Sequence, residues 1–179
     1  MIFLVRHGED DCTRLGGWSD AGLSPLGREQ VKRACDKLTD CNIKRIFSSD
    51  LQRAKETAEI IAARLILPVT YLPEFRETNN GLLAGMLKTE AKEKYPGIYW
   101  NALEWTQHYP GGESPEEFFC RIEKAWREFK ANVKNDKVLL ISHGGVMDVI
   151  LCIENGAAYT NKRTTYKIEC AGIVSFEEK

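Results

Sequence analysis

The sequence predicts an α/β fold. Short apolar runs of strand length alternate from end to end with stretches whose apolar residues recur at helical spacing. No internal repeat, low-complexity tract or Gly/Ser linker interrupts that alternation, and 179 residues is the length of a single domain spanning 1–179. Apolar residues at 43% and charged ones at 28% suffice for a packed core. Lys plus Arg number 25 against 26 Asp plus Glu, a formal net charge of -1. That balance argues against nucleic acid as a partner, because such binding needs many phosphate contacts. Any phosphate must be held in one local pocket.

The elements follow in order. Ile2 to Val5 reads as a fully buried strand, and Ser24-Pro25 as a helix cap with proline at the first helical position. Val31, Ala34, Cys35 and Leu38 then share one helix face, with Arg28, Lys32 and Lys37 outward. A second strand is expected over 43–47. It runs into Ser48-Ser49-Asp50, whose side chains can accept from the free N–H groups of a helix start. Leu51, Ala54, Ala58, Ile61 and Leu65 keep helical spacing as far as Pro68, which puts Arg53 in the first turn. A third strand is expected over 69–72. The segment that follows is irregular and aromatic, helical only near 87–95, and a connection of this length (about 73–113) reads as a lid. Ser114-Pro115-Glu116-Glu117 is a capping box opening a helix with Phe118, Ile122, Ala125, Phe129 and Val133 on one stripe. A core strand over 138–141, a helix over 146–153 and two last strands near 165–169 and 173–176 complete the chain.

One arrangement occurs twice: a buried strand, then histidine followed at once by glycine, as Arg6-His7-Gly8-Glu9 and as Ser142-His143-Gly144-Gly145. In open α/β sheets ligands bind beyond the carboxyl ends of strands, so two such strands side by side bring both imidazoles into one crevice. Glycine after each histidine lets the backbone approach a ligand closely. Arg53, at a helix start where free N–H groups favour an anion, adds a third cationic contribution. Two arginines, two histidines and a helix N-terminus describe a site for a dianionic phosphate, because a guanidinium fork matches phosphate oxygens. Imidazole is also a nucleophile able to split phosphoryl transfer into two steps. A proton donor for the leaving alcohol is then required, and Glu77 is the leading carboxylate, with Glu74 three residues earlier as competitor. A metal site is the rival reading of the two histidines. His108 is the only other histidine, and no His-Glu-x-x-His cluster is present, so no metal is expected.

Leu4-Val5-Arg6-His7-Gly8-Glu9, Ser48-Ser49-Asp50-Leu51-x-Arg53-Ala54, Gly111-Gly112-Glu113-Ser114 and Ser142-His143-Gly144-Gly145 stand in this order over essentially the whole chain. Together they resemble the histidine phosphatase superfamily, the phosphoglycerate mutase-like group. The resemblance implies a three-layer αβα sandwich on a mostly parallel sheet with an antiparallel edge strand. It implies further that His7 is the phosphorylated nucleophile, that Arg6, Arg53 and His143 hold the transferring phosphoryl group, and that no metal or other cofactor is used. The family places its acid/base carboxylate where Arg76-Glu77-x-x-x-Gly81 lies, and Gly144 should offer its N–H to the phosphoryl oxygens. Two departures stand out. Thr13 occupies the position of a usual Asn phosphate ligand, leaving Thr13 or Arg14 to reach the pocket, and Ala84 stands where many phosphatases of the group carry Glu. Glu113 has two readings, a hydrogen bond near the pocket or a capping role.

The reading that follows is a metal-independent phosphomonoester hydrolase acting on a small soluble phosphate ester. A mutase must retain a bisphosphate while it reorients, and this compact chain has little length for the additional lid segments. A catalytically silent binding domain is the remaining alternative, opposed by retention of every reacting group. Tyr95, Tyr99, Trp100, Trp105, His108 and Tyr109 either wall the substrate or simply pack the lid. No apolar run reaches the roughly 20 residues of a membrane span, and Arg6 and His7 interrupt the first run too early for a signal peptide. A cytoplasmic monomer or homodimer is therefore expected. The six cysteines show no Cys-x-x-Cys spacing and read as reduced, mostly structural thiols.

Overall fold

In the computed structural model, which describes residues 1–133 and 136–177, five strands form one sheet. They are β1 (Ile2–Arg6), β2 (Arg45–Ser48), β3 (Val69–Tyr71), β4 (Val138–Ser142) and β5 (Ile173–Phe176), in the order β3-β2-β4-β1-β5. The first four are mutually parallel and β5 runs antiparallel on the β1 edge. Strand alternation divides the core. Ile2, Leu4, Phe47, Val138 and Leu140 face one way, and Phe3, Val5, Ile46, Leu139 and Ile141 the other. Because β1 and β4 are covered on both faces, they read in sequence as unbroken apolar runs.

Helices α1 (Pro25–Leu38) and α2 (Gln52–Leu65) cover one face. The stripe of Val31, Ala34, Cys35 and Leu38 packs there with Ala54, Ala58 and Ile61. The short α3 (Lys88–Lys94) belongs to the lid. Helices α4 (Pro115–Asn132) and α5 (Gly144–Glu154) cover the opposite face through Phe118, Ile122, Trp126, Phe129, Met147 and Ile150. The expected three-layer sandwich with its antiparallel edge is thus the observed fold. Ser24 caps α1 by accepting from Gly27 N, and both halves of the capping box form at Ser114 and Glu117. The lid carries a small core of its own, in which Leu83, Ala91, Leu103 and Tyr109 are buried.

Four local expectations are corrected. Residues 165–169 form no strand: the Thr165 and Tyr166 N–H groups donate to the buried Asp148 carboxylate, and Ile168 O accepts from Arg6 Nη1, so no sheet partner is available. Asp50 does not cap α2, because Arg76 takes both of its oxygens; Leu51 occupies the cap position without a side-chain bond. Helix α5 starts two residues earlier than its apolar pattern suggests, directly after His143. Of the six cysteines, all unpaired, only Cys35 and Cys152 are buried, and Cys12 and Cys120 are exposed. Cys120 lies on α4 but off its apolar stripe. No helix among the described residues is long and apolar enough to cross a membrane.

Candidate active site

The β1–β4–β2 register aligns three strand ends. Arg6 stands opposite Ser142 and Ser48 opposite Ile141. The ladder continues one step further, through His7 N to Ser142 O and Ser49 N to Ile141 O, both 2.9 Å. His7, His143 and Ser49 therefore emerge side by side, with the two imidazole centroids 5.1 Å apart. The sequence expectation of two histidines in one crevice is met. Its reason for Gly8 is not: a Cβ there would stand 2.5 Å from Gly27 O, so the close approach is to α1 rather than to a ligand.

His7 Nδ1 lies 2.6 Å from Gly8 O. A carbonyl only accepts, so Nδ1 carries the proton and Nε2 keeps its lone pair. Arg53 Nε donates to that Nε2 at 3.3 Å. His143 Nε2 meets Ser49 Oγ at 2.8 Å, while its Nδ1 is buried without a partner, as is Arg6 Nε. A donating Ser49 hydroxyl would place the His143 proton on Nδ1, free for a ligand. Burial, then the charge of Arg53, pushes both histidines well below 6.5, so both rings are neutral. Arg53 is only 2% exposed. Its terminal nitrogens donate to Gly17 O at 2.7 Å and to Ser19 O and Oγ, while Asp10 Oδ2 stands 3.5 Å from its Nε. Two buried nitrogens without partners, one of them on the Arg6 guanidinium, beside the buried Arg53 make a strong anion site.

Glu77 sits at the start of α5. Its Oε2 accepts from Gly145 N and its Oε1 from Thr78 N, each at 3.0 Å. A Cβ on Gly145 would stand 2.5 Å from Glu77 Oε1, so the second glycine after His143 makes room for the carboxylate. Gly144, which opens α5, packs against the Arg6 guanidinium. Glu74 is exposed and points elsewhere, lining a separate groove with Arg45 and Phe129.

The Glu77 segment is clamped from behind. Arg121 donates to Glu74 O at 2.8 Å, Arg76 O at 3.0 Å and Glu77 O at 3.2 Å, while its fork pairs with Glu113. Glu113 also accepts from Asn79 N at 2.6 Å, so it neither caps α4 nor faces the pocket; it anchors the clamp. Trp18 Nε1 donates to Glu77 O at 2.7 Å and its ring stacks under Arg76. Arg121 carries no motif of its own; Glu113, eight residues before it, is the signal in the sequence.

Thr13 is not brought to the site. It is exposed and its hydroxyl donates to Asp11 Oδ1 at 2.6 Å. Arg14 also stays outside, reaching Gly85 O at 2.9 Å. Beyond Arg6, Glu77 and Gly144 opens a cavity of about 430 Å³ lined by Trp100, Tyr109, Asp148, Tyr159, Asn161 and Arg163 among others. Of the lid aromatics only Trp100 and Tyr109 reach it; Tyr99 and Trp105 are exposed and His108 pairs with Glu117. Burial and the charge of Glu77 push Tyr109 up to about 12, which keeps it a neutral hydroxyl.

Residues 2–177 match the model of the histidine phosphatase superfamily (branch 1). The chain is 29% identical over 181 residues to the uncharacterized phosphatase PhoE of Bacillus subtilis (strain 168), covering 99% of this chain and 89% of that one. It is 33% identical over 149 residues to the probable phosphoglycerate mutase GpmB of Salmonella choleraesuis (strain SC-B67), covering 80% of this chain and 69% of that one. Among solved structures, a mycobacterial glucosyl-3-phosphoglycerate phosphatase superposes with a TM-score of 0.80 at 27% identity, over 96% of this chain and 87% of the other.

Proposed function

The chain belongs to the histidine phosphatase superfamily, and from that premise we propose that it hydrolyses phosphomonoesters of small molecules with His7 as the nucleophile. One observation carries the assignment of His7. Its Nδ1 is committed to Gly8 O, which leaves the Nε2 lone pair turned to Arg53, while Arg6 Nε and His143 Nδ1 are buried without partners.

In the first step Nε2 attacks phosphorus in line, the N–P bond forms and the ester P–O bond breaks. Arg6, Arg53, His143 and the Gly144 N–H receive the phosphoryl oxygens, which is positioning plus electrostatic stabilisation. Glu77 enters as the carboxylic acid and gives its proton to the leaving oxygen. As carboxylate it then takes a proton from the water that attacks phosphorus, the N–P bond breaks, and orthophosphate and the starting enzyme result. Thr13 has no part in this scheme. The alcohol moiety occupies the adjoining cavity, whose size suits a compact metabolite.

The test is phosphoryl trapping. Wild type incubated with an aryl phosphate and no metal should turn over and yield a phosphohistidine on His7, and His7→Ala should lose both. Full hydrolysis by His7→Ala would refute the mechanism. Bisphosphoglycerate-dependent isomerisation without hydrolysis would favour the mutase reading that the GpmB relative suggests.

A further inference from the structure

Asp10 lies three residues after His7, on the loop leaving β1, and the mechanism above has no use for it. Its Oδ2 stands 3.5 Å from Arg53 Nε, the same nitrogen that is 3.3 Å from His7 Nε2. Three of the four N–H groups on the Arg53 terminal nitrogens are taken by Gly17 O, Ser19 O and Ser19 Oγ. The Nε edge and one terminal N–H are therefore what Arg53 has left for an incoming phosphoryl group, and a carboxylate already stands beside Nε. Arg53 is almost wholly buried, whereas the Asp10 side chain is 22% exposed and has solvent to move into. Of the two, only Asp10 can yield.

We propose that Asp10 is the resident counter-ion of the phosphoryl site, neutralising buried Arg53 until a phosphate dianion displaces it, and thereby sets how tightly the site binds phosphate. A buried guanidinium without a counter-charge is costly, so the empty protein gains from the carboxylate. The dianion that reaches His7 brings like charge against Asp10, so every binding event must move the carboxylate aside. The same displacement weakens the hold on orthophosphate, the product, and speeds its release. An orienting role for Asp10, keeping Arg53 in place for the phosphate, predicts the opposite sign.

The inference takes the identity of the anion from the phosphatase reading and is tested apart from turnover. Inorganic phosphate is titrated calorimetrically into wild type, Asp10→Asn and Asp10→Ser, and urea unfolding is measured without phosphate. Both variants should bind phosphate on the order of tenfold more tightly while their unfolding midpoints fall. Orthophosphate should inhibit their aryl phosphatase activity correspondingly more. Phosphate affinity that is unchanged or weaker in both variants would overturn the inference, with wild-type hydrolysis still supporting the phosphatase reading. A wild type that neither binds phosphate nor hydrolyses the ester would overturn that reading itself.

Discussion

At the residue scale, the carboxylates Glu77 and Asp10 are separated by what holds them. Glu77 is fastened by the Gly145 N–H at the start of α5 and by the N–H of its neighbour Thr78, and it lines the cavity. Among the described residues, the Asp10 carboxylate is paired with Arg53 alone. In the mechanism we propose, proton donation to the leaving oxygen falls to Glu77, and the need for it depends on the leaving group. Glu77→Ala should slow hydrolysis of alkyl phosphates by about 100-fold or more, within the usual range for general acid catalysis. Aryl phosphates, whose leaving group departs without help, should slow far less. Steady-state rates on matched alkyl and aryl esters check this; equal slowing on both would assign the acid elsewhere. The sequence singles out Glu77 through its place before Gly81; that Glu77 accepts from the Gly145 N–H, 68 positions away, is decided only in the fold.

At the element scale, α4 serves as a backstop for the Glu77 segment. Its capping box fixes where the helix begins, and two turns later that start places Arg121 against the carbonyls of 74, 76 and 77. Three acceptors and a Glu113 carboxylate use the planar fork fully, which an ammonium group cannot copy. Arg121→Lys keeps the charge and loses the geometry. It should lower kcat on alkyl phosphates about tenfold with KM little changed, following the small-displacement sensitivity of positioned groups, and spare aryl phosphates. A uniform loss on both, or a change in KM alone, would make the clamp purely structural. The helix itself was evident from apolar spacing and the Ser-x-x-Glu cap. Its role was not, because Arg121 looks in sequence like any solvent-facing arginine.

At the scale of the whole molecule, two neutral imidazoles at the end of a buried sheet tie stability to pH. Burial first, and Arg53 next, depress both histidines well below 6.5, while the unfolded chain protonates them near that value. Between the two values the unfolded state binds more protons, so stability is complete above about pH 6.5 and declines as pH falls. Each histidine contributes a slope of up to ~1.4 kcal/mol per pH unit. Asp50, lowered chiefly by its hydrogen bonds from Arg76, adds a loss of the same sign only at more acidic pH. Urea midpoints at pH 7.5, 6.5 and 5.5 should fall in sequence, and ring NMR of His7 and His143 in the native protein should show no titration near 6.5. A flat stability profile would mean that the two rings are charged or solvated in the fold.

Period and punctuation in the sequence determined the order of elements, the two caps, the burial of β1 and β4, and the placing of His7 and His143 at strand ends. These depend on residues within a few positions of one another, where side-chain direction follows from backbone geometry alone. Tertiary structure decided what loops do. It turned Thr13 away to Asp11, withheld a strand from 165–169 by giving its amides to Asp148, anchored Glu113 to Arg121 and set Asp10 beside Arg53. Each outcome depends on which distant donor or acceptor is left unpaired once the sheet and helices have packed, and no local pattern in the chain records that remainder.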